Sequence, residues 1–181
     1  MENTRERRGN TDQKMRRSLL QHIGLGRTMI LLLLIVSLLN QLLLLLKVNY
    51  HFLFSTAVPY YLNWLAEKLG SSAGVTPLKV VAVIVTLLSF IAYAACWMLS
   101  AQRRDLLKTA LFLYCADTVL LVIFAVALLN NPFSCLLEVL VHLIGIALLY
   151  DAHRSAQQLR RMSKKKKSRP VPQDRQTNSS Y

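Results

Sequence analysis

Residues 28–46 read TMILLLLIVSLLNQLLLLL, nineteen consecutive positions without a charge. As a helix at 1.5 Å per residue this run is about 28 Å long, close to the ~30 Å of a bilayer's hydrocarbon core. Only Ser37, Asn40 and Gln41 interrupt the Leu and Ile. A basic segment precedes it and Ser55-Thr56-Ala57 loosely resembles a cleavage site, the marks of a signal peptide. The apolar run is too long for that and the site lies far past its end, so an uncleaved span is expected.

Working outward, three more runs have the same character, at about 76–100, 106–129 and 132–150. Thr76 suits an N-cap and Pro77 the first helical position. Gln102-Arg103-Arg104-Asp105 and Asn130-Asn131-Pro132 read as tight turns between spans. The 181 residues suffice for one domain, expected at 28–150 as the membrane part. The 54% apolar content is only slightly high, so the class follows from how it is distributed.

The net charge of +13 invites a nucleic-acid reading. Its placement argues against one. With both termini in the cytoplasm, nineteen of the 22 Lys and Arg fall in segment 1–27, around the second turn, or in the tail 151–181. Only Lys47, Lys68 and Lys79 lie on the far side. This is the asymmetry of a multi-pass protein of a cytoplasmic membrane, bacterial in type, and no nucleic-acid partner is expected. The alternation of Arg with Leu and Ile over Met15–Ile23 suits a short amphipathic helix on an anionic surface. The tail, with Lys164–Lys167 and two prolines, reads as solvated and disordered. Anionic lipid headgroups are the expected ligands of the basic ends.

Residues 47–75 form the one long connection, crowded with aromatics. At 100° per residue Tyr50, Leu53, Phe54, Ala57, Val58, Tyr61, Trp64 and Leu65 share a face, and Ser55, Thr56, Pro59, Asn63 and Glu67 the other. Phe52 and Lys68 break the pattern. The expectation is an interfacial helix at about 48–69 on the outer face, kinked at Pro59 and ended by the Gly70–Gly74 turn. A re-entrant or fully spanning segment is the alternative. A fifth full span would put a basic cluster on the wrong side. The expected fold is therefore an all-α integral membrane protein, a four-helix transmembrane bundle with an amphipathic helix between spans one and two.

Lipid offers no hydrogen bonds, so polar residues inside spans should face other helices or a wet cavity. Ala82, Thr86, Ser89, Tyr93, Cys96 and Ser100 recur at alternating steps of four and three. Ala110, Tyr114, Asp117, Leu121 and Ala125 make a second stripe, and Cys135, Glu138, His142, Gly145 and Leu149 a third. Ser37 and Gln41 line up on span one, with Asn40 beside them. Cys96, Cys115 and Cys135 form no CxxC and read as small packing residues.

A carboxylate at Asp117, mid-span, must be protonated, paired or hydrated. Spans three and four are antiparallel, which sets Asp117 level with Gly145 and about one turn from His142. Glu138 lies one turn farther out, and Tyr114 and Ser89 extend the set inward. A hydrogen bond that fixes helix register is the plain expectation. A proton-responsive or proton-coupled site is the sharper one, and a contact to a charged span of another protein is a third. Glu138 and His142 supply only two ligands, so neither a metal nor another cofactor is expected.

No glycine-rich phosphate loop, HExxH or GxSxG occurs, and no inverted repeat is evident. The expected function is non-enzymatic: an interaction or accessory protein with a membrane-protein partner or a second copy. A proton-coupled carrier or pH-responsive sensor using Asp117, His142 and Glu138 is the alternative.

Overall fold

The computed structural model describes residues 2–48, 50, 52, 54–70, 77–128 and 136–167. Their side chains are described except at 2–9, 70, 127, 128 and 165–167. Among the described residues there are five helices and no strand. They are α1 (Glu2–Leu45), α2 (Ala57–Gly70), α3 (Pro77–Leu99), α4 (Leu106–Leu128) and α5 (Leu136–Lys167). Helices α1, α3, α4 and α5 are each long and apolar enough to cross a membrane. Their outward faces carry Leu38, Leu88, Ile91, Phe112, Val126 and Ile144, all exposed, so apolar surface faces outward as well as inward. Thr76, Cys135, the 71–74 turn and Asn130-Asn131-Pro132 lie outside the described residues.

Helix α1 does not begin at the apolar run. It is continuous from Glu2, and Met15–Ile23, the segment expected to lie on a membrane surface, is part of its N-terminal half. Leu19 and Ile23, one turn apart, are buried in a common core with Ala152, Ala156 and Leu159 of α5, while Arg16 and Arg17 stay exposed. The tail expected to be disordered from 151 is helical through Lys167, and residues 168–181 lie outside the described residues. Each extension buries the apolar stripe of the other, which neither could do alone. A Cβ on Gly26 would land on the Ala152 side chain, so Gly26 lets the two backbones approach.

At its other end α1 closes with a Schellman motif: Val48 donates to the Leu43 carbonyl and Lys47 to Leu44, both at 3.0 Å. Lys47 takes the left-handed position, φ 57°, that usually falls to glycine.

The chain then turns back along α1. Asn40 grips the returning backbone at Phe52, accepting from its N–H at 2.7 Å and donating to its carbonyl at 2.8 Å. The same amide donates to Ser55 Oγ, also at 2.8 Å. Farther down, the Thr56 N–H and hydroxyl both donate to Ser37 Oγ, at 2.8 and 2.9 Å. Ser37 is eight residues before the end of α1, so α2 starts about 12 Å back along it.

This corrects the surface-helix expectation. Tyr50 and Phe52 are not helical, and the helix spans 57–70 rather than 48–69. It starts beside Ser37 of α1 and Asp117 at the middle of α4, and packs against α3, α4 and α1. Pro59 sits in its first turn, where no internal N–H bond is lost, so it causes no kink.

Candidate functional site

Asp117 lies in the middle of α4 and points at the start of α2. Its Oδ2 accepts the Ala57 N–H at 2.8 Å and its Oδ1 the Val58 N–H at 2.9 Å. These are two of the four N–H groups that a helix leaves without internal partners. The carboxylate is thus a helix cap supplied from sixty residues away, and its charge complements the positive end of the α2 dipole.

His142 of α5 completes the group. Its Nε2 stands 3.4 Å from Asp117 Oδ2, an ion-pair contact without a hydrogen bond. Its Nδ1 lies 2.9 Å from the Glu138 carbonyl. A carbonyl only accepts, so Nδ1 carries the hydrogen. Nε2 then faces Asp117 either as an N–H toward a carboxylate or as a lone pair toward a carboxylic acid.

Packing fixes the imidazole. The Tyr114 ring stacks on it with centroids 5.0 Å apart and planes 13° from parallel. Tyr114 fits there because position 145 is glycine: a Cβ would approach Tyr114 Cε1 to 2.6 Å and strike Met29. The hydroxyls of Tyr114 and of Tyr93 on α3 are buried without hydrogen-bond partners, near Asp117. Glu138, in the first turn of α5, is buried and accepts from the Tyr61 hydroxyl at 2.8 Å.

Of the residues singled out in the sequence, Asp117, His142, Glu138 and Tyr114 come together. Ser89 does not: it is half-buried and makes no hydrogen bond. The other positions of its stripe, Ala82, Thr86, Tyr93, Cys96 and Ser100, are buried. The aromatic residues expected on one interfacial face separate. Tyr50 is exposed and meets Phe52 edge-on, and Phe54 packs on the central core. Tyr61 belongs to the buried site, and Trp64 is covered by the Lys68 ammonium, 5.8 Å from the ring centroid.

A second polar knot, unforeseen as a unit, ties α2 to α3 and α1. Asn63 donates to Thr86 Oγ1 at 2.6 Å, to the Pro59 carbonyl at 2.8 Å and to Gln41 Oε1 at 3.3 Å. Sequence reasoning flagged Ser37, Asn40, Gln41 and Thr86 as seam residues but not their partners between Phe52 and Asn63. The signal was present in Thr56 and Asn63, which share the polar face of that stretch. Among the described residues, no group of three or more His, Cys, Asp or Glu is placed to hold a metal ion.

No family model, no curated protein and no solved structure matches this chain.

Proposed function

We propose that the chain is a small non-enzymatic interaction or accessory protein of a cytoplasmic membrane, bacterial in type. It crosses the membrane four times with both termini inside. The observation that carries this reading is the pair of helical extensions. Helix α1 runs about 40 Å ahead of its apolar segment and α5 about 25 Å beyond Tyr150. They pack as a two-helix stalk with Lys14, Arg16, Arg17, Arg154, Arg161 and Lys164 exposed. A paired, charged stalk on a membrane anchor presents a surface to a partner. The polar groups between the spans bond mainly to the chain's own backbone and to one another, which leaves little of that seam for a partner's helix.

Extraction in mild detergent and measurement of the intact complex's mass tests the proposal. A different protein at fixed stoichiometry supports it. The chain alone, active in a defined assay, defeats it. For the topology, a reporter fused after Lys68 should appear outside the cytoplasm, and its appearance inside would overturn the arrangement.

The buried contact of His142 Nε2 with Asp117, the residue that caps α2, favours a second reading, a pH-responsive latch on α2. Asp117→Asn should then abolish any change in amide exchange at Ala57 and Val58 between about pH 5 and 8. A pH response unchanged in that variant would sink this reading.

A further inference from the structure

The inner corner formed by α4 and α5 is chemically unlike the rest of the stalk. A groove along α5 is lined by Tyr150, His153, Arg154, Gln157, Gln158 and Arg161. The start of α4 flanks it: Asp105 pairs with Arg160, and Lys108 lies close enough to act on the His153 ring. Both carboxylates of this corner are already engaged, Asp105 by Arg160 and Asp151 by His22. Among the described residues no carboxylate pairs with Lys108, Arg154 or Arg161. The local field is therefore positive. It acts together with burial, the larger cause, to push the His153 pKa below its ordinary value.

The groove also has an apolar continuation. Leu140, Leu143, Tyr150, Arg154, Gln157 and Arg161 fall on one face of α5 at helical spacing, and all are exposed. That face changes from aliphatic to cationic at Tyr150, an aromatic of the kind that marks a membrane–water boundary. On the topology proposed above, on which this inference rests, the change coincides with the inner edge of the hydrocarbon layer.

We infer that the α4–α5 corner is a binding site for one anionic phospholipid of the inner leaflet. Its phosphodiester lies between Lys108 and Arg154, and an acyl chain runs along Leu143 and Leu140. Gln157 supplies an amide donor to the headgroup, and Arg161 extends the positive field into water. A free phosphate ion would use the cations and leave the aliphatic half of the stripe unused.

The test uses the full chain, taken from vesicles of equal phosphatidylglycerol and phosphatidylcholine and measured intact by native mass spectrometry. One phosphatidylglycerol should be retained over phosphatidylcholine. Each cation near an anionic surface contributes about fivefold, so Lys108→Gln with Arg154→Gln should weaken retention about twenty-five-fold. Arg154→Lys should keep most of it. Both residues are exposed, and an unchanged melting temperature checks that the variants fold. Equal retention of the two lipids, or retention unaffected by the double variant, overturns the site. Displacement by millimolar inorganic phosphate overturns the lipid assignment. Impermeant maleimide labelling of Gln158→Cys, against the parent chain, reports the side of the membrane independently. Labelling from outside defeats the topology and leaves the lipid result standing on its own.

Discussion

The half of the bundle that holds α2 and the stalk are held together by opposite means. Around the start of α2, the backbone of Phe52 and Thr56 and the first N–H groups of the helix have no partner within a helix, and they are met by Asn40, Ser37 and Asp117. In the stalk both segments are regular helices whose backbone groups bond internally. There the contact is made by Gly26, Ala152, Ala156, Leu19 and Leu159, with charged pairs only at the margins. The difference shows that polar side chains between spans serve the backbone that helices leave unsatisfied. Where both partners are helical, small residues suffice.

That contrast can be broken most severely at Asp117. Asp117→Ala strips two N–H groups of their acceptor and leaves His142 without its counter-charge. Loss of about 3–5 kcal/mol is expected, read as a lower melting temperature in detergent with fast amide exchange at Ala57 and Val58. A variant that melts like the parent would mean that the half of the bundle around α2 does not depend on polar capping.

The stalk should answer to shape instead. Gly26→Ala drives a methyl into Ala152 and should cost about 1–3 kcal/mol. Ala152→Gly in the same chain should restore most of it, which a thermal melt of the double variant checks. Failure of the rescue would point to helix propensity and not to backbone approach.

Asn40→Leu sharpens the comparison because it keeps volume and removes hydrogen bonding. The Phe52 N–H and carbonyl lose their partner, and about 1–3 kcal/mol should go, with exchange rising at Phe52 and not in the stalk. The smallest effect belongs to the exposed bidentate pair of Arg160 with Asp105, whose second contact is 2.6 Å. Asp105→Asn should cost no more than about 1 kcal/mol, and less at high salt. A larger loss would make that pair a main tie between the stalk and the α3–α4 turn.

Much of this was written in residue order. Uninterrupted apolar runs specify four long helices, because nothing else satisfies a backbone inside lipid. Antiparallel connection through a short turn set Asp117 near His142 and Gly145, and the structure brings Asp117 to 3.4 Å from His142. The heptad stripe on α3 marked Thr86, Tyr93 and Cys96 as inward. Two things were not legible. Amphipathicity at 50–65 has the same period whether a helix lies on a surface or stands among other helices, so it cannot report depth. The alternation of Arg and Leu before the first span reads as a membrane-surface helix until α5 supplies a second stripe for it to cover.

The sequence by itself determined which four segments are long and apolar enough to span and which of their faces carry polar groups, since each follows from composition and a 3.6-residue period. The tertiary structure alone decided that the chain returns to mid-height before α2 begins, that Asp117 caps that helix, and that Tyr61 reaches Glu138. Those contacts join residues about sixty to eighty positions apart. A distant acceptor leaves no periodic trace in the segment whose N–H groups it satisfies.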